Sequence, residues 1–152
     1  IQKLKDSIHF MVGWGGLRQI SLGTLDMTWH TTEPSTIKDV AAFEDDAIKD
    51  CTLFPRLAGP VSSSFSHIFA GGYSAGYYSY KWAEVLDADT FELFLEKGLY
   101  NQDAAKAYRT EILERGGSEQ PNILYKNFRG RDADPDALLR REGLLDKDKN
   151  AA

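Results

Sequence analysis

Cysteine occurs once in the 152 residues, as Cys51, so no disulfide can form within the chain and no cysteine-based zinc site can be assembled from it. Histidine occurs three times, at His9, His30 and His67. No stretch approaches the roughly 20 apolar residues that span a bilayer, and no basic segment leads into an apolar one, so membrane insertion is not expected. Basic residues are in deficit: 18 Lys and Arg against 23 Asp and Glu give a net charge of −5, which leaves no general attraction for nucleic acid or anionic lipid. Runs of alternating apolar and polar residues long enough to demand a strand are also missing. What is present is an ordinary globular composition, 42% hydrophobic and 27% charged, enough for one modest core. The first residue is Ile1 rather than Met, which fits a piece of a longer polypeptide.

The elements read as helices throughout. Leu17, Ile20, Leu25 and Trp29 recur at helical spacing, approached by Gly13, Gly15 and Gly16, and Pro34 ends that helix. A second helix is expected from Ser35 or Thr36 to Lys49, with Asp39, Glu44, Asp45 and Asp46 on a solvated face. A Pro- and Ser-containing loop follows from Phe54 to Ser66. A long helix is then expected from Ala75 to about Glu96, closed at Gly98, where glycine supplies the left-handed position that terminates many helices. Further helices are predicted from Asn101 or Gln102 to the Gly116-Gly117 pair, over 122–128, and from Pro135 to Arg141. The expectation is an all-α fold, one helical domain over 1–145 with a frayed polar tail over 146–152.

Several chemistries are excluded by missing motifs. There is no His-Glu-x-x-His, the helical pair that would hold a metal with a general base beside it. His30-Thr-Thr-Glu33 reads as a helix end, and His9, between Ile8 and Phe10, as a partly buried packing residue. No serine sits in the context of a nucleophile elbow. Cys51 reads as structural. Gly71-Gly72 with Gly76 lacks the Gly-Lys-Ser/Thr of a phosphate loop.

The densest chemistry surrounds that double glycine. If a helix begins near Tyr73, then Tyr73, Tyr77, Tyr80, Glu84 and Asp87 share one face, while Ala75, Tyr78, Trp82, Val85 and Leu86 serve the core. A buried hydroxyl without a partner costs about 1–3 kcal/mol, which favours a cleft for the tyrosine face. A loop bending at Gly71-Gly72 could return His67 to the same place. The other reading is an aromatic helix docked through a glycine contact, its tyrosines bridging core and water, and spacing alone does not choose between them. Trp82, Phe91 and Phe94 read as core. Arg129 and Arg131 read as partners in an ion pair rather than a clamp for a peptide terminus, and Glu84 and Asp87 as groups that orient neighbours.

His67-Ile-Phe-Ala-Gly-Gly-Tyr-Ser-Ala-Gly-Tyr-Tyr-Ser-Tyr80, with Lys-Trp-Ala-Glu-Val-Leu-Asp-Ala-Asp-Thr-Phe91 after it, closely resembles the C-terminal region of the thimet-oligopeptidase family of zinc metallopeptidases, nearest its bacterial oligopeptidase A and peptidyl-dipeptidase branch. The resemblance continues through Glu111-Ile-Leu-Glu-Arg-Gly-Gly-Ser118, Phe128-Arg-Gly-Arg-Asp-Ala-Asp-Pro135 and Leu138-Leu-Arg-Arg-Glu-Gly-Leu144, and takes in Leu25-Asp-Met-Thr-Trp-His-Thr31. It implies the C-terminal portion of a zincin-type helical enzyme, cytoplasmic, whose zinc ligands lie upstream. This chain alone then binds no zinc and hydrolyses no peptide. The resemblance matches His67, Tyr73, Tyr77 and Tyr80 to residues that bind substrate and stabilise the tetrahedral intermediate. Tyr80 and Tyr73 are implied as donors to the oxyanion, His67 and Tyr77 as contacts to the substrate backbone, and Gly71 and Gly72 as the flexing loop. The implied partners are short peptides and the zinc-binding part of the same polypeptide, with no nucleic acid and no membrane. A free-standing, non-catalytic helical peptide-binding module is the alternative.

Overall fold

A computed structural model describes residues 1–55 and 59–145, and the tail expected over 146–152 lies outside them. Among the described residues all regular structure is helical, so the fold is all-α. The span expected as one domain groups into two compact units, Ile1–Trp82 and Ala83 onward.

The first unit opens with α1 (Gln2–Ile8), which sequence periodicity does not announce, and α2 (Val12–Thr31). Met11 turns the chain between them in a left-handed conformation, φ 56°. Helix α2 takes in the glycines expected only to precede it, and it ends where Pro34 begins a single 3-10 turn. The next helix, α3 (Val40–Ile48), starts later than expected. The Asp39 carboxylate accepts hydrogen bonds from Ala41 N at 2.8 Å and Ala42 N at 3.1 Å, which satisfies two of the free donors at the helix start. A short helix, α4 (Ser66–Phe69), completes the unit ahead of α5 (Ser79–Lys97).

Leu25, Phe65 and Ile68 form the core of this unit, with Leu22, Trp29, Ala47, Ile48, Val61 and Tyr77 packed around them. Glu44, expected on the solvated face of α3, is instead fully buried. Its two carboxylate oxygens accept from Val61 N at 2.7 Å and Ser62 N at 2.8 Å, and the Ser62 hydroxyl donates as well. Ser62 Oγ in turn accepts from Trp29 Nε1 at 2.7 Å. The serine-containing loop is thereby fastened to α2 and α3 by a charge that the polar pattern of α3 conceals.

The second unit contains the remainder of α5, α6 (Gln102–Tyr108), a π-helical turn over Arg109–Leu113, α7 (Pro121–Arg129) and α8 (Asp136–Arg141). Gly98 adopts φ +103° just past α5, as its place in the sequence predicts, and Gly130 closes α7 with φ +79°. Val85, Ala88, Ala137 and Leu138 cluster in its core. Phe91 and Trp82, expected inside, are exposed. The centre of the unit is Asp89, fully buried on α5. It accepts from Tyr125 Oη at 2.7 Å, from Arg131 Nη2 at 2.6 Å and from Asp134 N at 3.3 Å, with Arg129 Nε at 3.4 Å. Arg129 also grips Glu96, so both arginines are ion-pair partners as expected. Asp87 pairs with Arg141.

Burial pushes the Asp89 carboxyl up, but hydrogen bonds from Arg131, Tyr125 and the Asp134 amide outweigh it and hold the group below its ordinary 3.8. Asp134 is lowered in the same way by Arg140, and Glu96 by its hydrogen bond from Arg129. A carboxyl whose pKa is lower folded than unfolded contributes stability above the unfolded value and loses it as pH falls through the folded one. Thermal melting of the full-length protein is expected to fall from about pH 4 downward. Asp89→Asn should melt lower at pH 7 and lose part of that acid dependence, and identical acid profiles for the two proteins would contradict the assignment.

Candidate functional site

The site is built within the first unit, on the chain between α4 and α5. From Ala70 to Tyr78 the backbone runs through consecutive turns rather than the helix expected from Tyr73 or Ala75. The turns fold back onto α4. Ser66 O accepts from Ala70 N at 2.8 Å and Gly71 N at 2.9 Å, His67 O accepts from Tyr73 N at 3.3 Å, and Ser74 Oγ donates to Ile68 O at 2.6 Å. A Cβ placed on Gly71 would lie 2.9 Å from His67 O, a backbone atom, whereas one on Gly72 meets nothing within 4 Å. The two glycines therefore have different jobs: Gly71 permits a close approach, and Gly72 is sterically free.

A second anchor comes from α2. Asp26, fully buried, accepts from Ala75 N through Oδ1 and from Tyr77 N through Oδ2, both at 2.9 Å. Ala75 has φ +52°. That conformation costs a residue bearing a Cβ about 1–2 kcal/mol, while hydrogen bonds to a charged group contribute about 1.5–3 kcal/mol each, so the carboxylate wins and the helix is displaced to Ser79.

These constraints bring four rings into one contiguous cluster. His67 lies 6.0 Å from Tyr73 and 5.9 Å from Tyr77 between ring centroids, and Tyr80 lies 4.9 Å from Tyr73 and 5.1 Å from Tyr77. Phe65, buried, lies against His67 and Tyr77 at 6.0 and 5.0 Å. The Tyr77 hydroxyl donates to Gln19 Oε1 of α2 at 3.4 Å. Tyr73 and Tyr80 are 38% and 39% exposed, so their polar tips reach solvent while Tyr77 is half-buried. A hydrogen bond to Tyr73, with burial and the neighbouring phenols adding to it, pushes the Tyr80 hydroxyl up to about 12. Tyr80 is accordingly a proton donor throughout the neutral range.

The expected tyrosine stripe thus forms by turns and not by a helical face: only Tyr80 of the three is on α5. Tyr78 and Trp82, expected in the core, are 58% and 47% exposed: Tyr78 lies in the turns before α5, and Trp82 shares the helical face of buried Val85 without being covered itself. The groove of about 490 Å³ beside α2, lined among others by Gln19, Ile20, Gly23, Met27 and Tyr78, includes none of the four cluster residues. Sequence reasoning missed Asp26, Gln19 and Phe65. The available signal for Asp26 was its place on the apolar stripe of α2, four residues after Leu22 and three before Trp29.

The remaining donors do not fit a metal. Among the described residues no three His, Cys, Asp or Glu are grouped so that they could hold an ion. His30 lies in the last turn of α2, its Nδ1 2.9 Å from Asp26 Oδ1 and 2.8 Å from Asp26 O. His9, expected partly buried, is exposed, and Cys51 is a half-buried free thiol.

Residues 1–144 match Peptidase family M3. Oligopeptidase A of Haemophilus influenzae is 59% identical over 155 residues, covering 95% of this chain and 22% of that protein. The organellar oligopeptidase A, chloroplastic/mitochondrial, of Arabidopsis thaliana is 41% identical over 152 residues, covering 95% of this chain and 19% of that protein. The dipeptidyl carboxypeptidase of Escherichia coli is 35% identical over 146 residues, covering 94% and 21%. The chain therefore spans about a fifth of the length of these relatives.

The contrast between the two glycines is directly testable. Gly71→Ala must displace the His67 backbone and is expected to destabilise by about 1–3 kcal/mol, as overpacking typically does. Gly72→Ala should fall within about 0.5 kcal/mol of the parent. Denaturant titration of the full-length protein reads both, and equal stability of the two variants would show that the close approach does not exist.

Proposed function

The chain belongs to peptidase family M3, and we propose that it forms the substrate-binding and transition-state-stabilising C-terminal portion of a longer zinc-dependent oligopeptidase that hydrolyses short peptides. The observation that carries this reading is the four-ring cluster of His67, Tyr73, Tyr77 and Tyr80, fixed by backbone anchors with two phenols at the surface.

An oxyanion developing on a scissile carbonyl is stabilised by donors already aimed at it, because no reorganisation is then required as charge appears. Tyr80 and Tyr73 supply two hydroxyl protons side by side, and both hydroxyls rotate freely about their C–O bonds. Tyr77, tethered to Gln19, and His67 are assigned to the peptide backbone. Gly71 and Gly72 provide the turn on which the cluster stands. Zinc is assigned to the part of the polypeptide outside this chain.

The partners follow from the same reading. Short peptides are the substrates, consistent with relatives named oligopeptidase A and dipeptidyl carboxypeptidase. The remainder of the polypeptide covers the apolar side chains that stand in solvent here, among them Ile1, Leu4, Ile8, Phe10 and Tyr100. No helix among the described residues is long and apolar enough to cross a membrane, and a cytoplasmic location is proposed.

Tyr80→Phe in the full-length enzyme is expected to lower kcat by about 10²–10³ with little change in KM, since it removes a donor used only in the transition state. Steady-state hydrolysis of a short fluorogenic peptide measures this. A variant with the kcat of the parent would sink the oxyanion role.

A further inference from the structure

We propose that Asp26, through its two hydrogen bonds to the Ala75 and Tyr77 amides, is the positioning residue that sets the placement of the tyrosine donors. This rests on the function proposed above and adds to it a group that touches no substrate.

Asp26 comes from α2, 49 and 51 residues away in sequence from the amides it holds. Each carboxylate oxygen takes one amide, so the side chain spans Gly76 and fixes the backbone on both sides of it. Tyr73 precedes the clamped segment by two residues. Tyr77 lies within it, and Tyr80 follows in the first turn of α5, its N–H reaching Tyr77 O at 3.2 Å. One carboxylate therefore acts on the backbone from which all three phenols project, together with the α4 contacts that hold Tyr73. The clamp also holds Ala75 at φ +52°, a conformation that the local sequence does not favour, so without it the segment has reason to rearrange. His30 Nδ1 lies between the Asp26 main-chain oxygen, at 2.8 Å, and Oδ1, at 2.9 Å, and so packs against the carboxylate from the same helix.

A carboxylate is required because both facing groups are donors. Asparagine presents an NH2 to one of them, so one amide must move and the tyrosines with it. The expected result is a loss of transition-state stabilisation larger than the loss of ground-state binding, which here runs through Tyr77 alone. In the full-length enzyme Asp26→Asn should lower kcat about 10- to 100-fold, the scale on which small misplacements act, and raise KM only a few-fold. Combined with Tyr80→Phe, it should cost far less than the product of the two single effects, because the carboxylate acts through the tyrosine. A structural role alone would lower Tm and give independent effects. Tyr125→Phe, which removes a hydrogen bond to Asp89 in the other unit, is the control whose Tm falls while kcat stays.

If Asp26→Asn yields no folded protein, His30→Leu decides: it should lower kcat a few-fold at constant KM, and His30→Asn, whose amide nitrogen can stand in for Nδ1, should restore it. Normal kcat in Asp26→Asn, or in His30→Leu where only that variant folds, beside a crippled Tyr80→Phe, overturns the positioning role and leaves the tyrosine reading intact. Independent effects in the double variant overturn it likewise. Normal kcat in Tyr80→Phe overturns the tyrosine reading and this inference with it.

Discussion

Taking a carboxylate out of water without partners costs several kcal/mol, and among the described residues three are fully buried, Asp26, Glu44 and Asp89. All three sit on helices and are fully buried, and each compensates by accepting hydrogen bonds from groups outside its own helix. Two of the three accept from a pair of main-chain amides in turn segments: Asp26 takes those of residues 75 and 77, Glu44 those of 61 and 62. Irregular backbone has no ladder in which to satisfy its donors, so a buried acid and a turn solve each other's problem. Asp89 does the same with Tyr125, two arginines and the Asp134 amide. Losing a partner leaves charge or donor stranded, which makes these attachments stiffer than hydrophobic contacts of similar size.

This constraint explains how polar groups can be both precise and wet. The tyrosine hydroxyls stand where solvent reaches them, an arrangement that ordinarily implies freedom. Here the backbone beneath them is clamped from α2 and folded against α4, while Phe65 closes the cluster from the buried side. What remains to each phenol is rotation about a few bonds. Rigid elements carrying mobile polar tips are what the proposed peptide site requires, since such a ligand would enter and leave while the donors stay aimed.

Much of this was visible in the sequence and some was not. The helical class, the glycine that ends α5, the pairing of Arg129 and Arg131, and the company kept by His67 and the tyrosines all follow from local patterns or family resemblance. Glu44 was misread because an acid among Asp45 and Asp46 looks solvated, and only its partners 17 and 18 residues on reveal otherwise. The start of α5 was misplaced for a similar reason. Tyr73, Tyr77 and Tyr80 carry a helical period, yet Asp26 captures the amides that a helix there would have used. Periodicity also predicted burial for Tyr78, Trp82 and Phe91: it identifies an apolar face without saying what covers it.

The close contact between Tyr73 and Tyr80 limits what the pair can do chemically. Raising Tyr80 to about 12 keeps its proton in place across the working range, so the hydroxyl is a donor and not a general base. The same shift makes it a weaker acid, hence a reluctant source of a fully transferred proton. Stabilisation by a held proton and catalysis by a moved one are different tasks, and this environment suits the first. In the oligopeptidase proposed above, a base for the attacking water is therefore assigned outside the tyrosine cluster. The division follows from a single phenol–phenol contact, made possible because two turns, one clamped and one folded back, bring residues seven apart in sequence to ring centroids 4.9 Å apart.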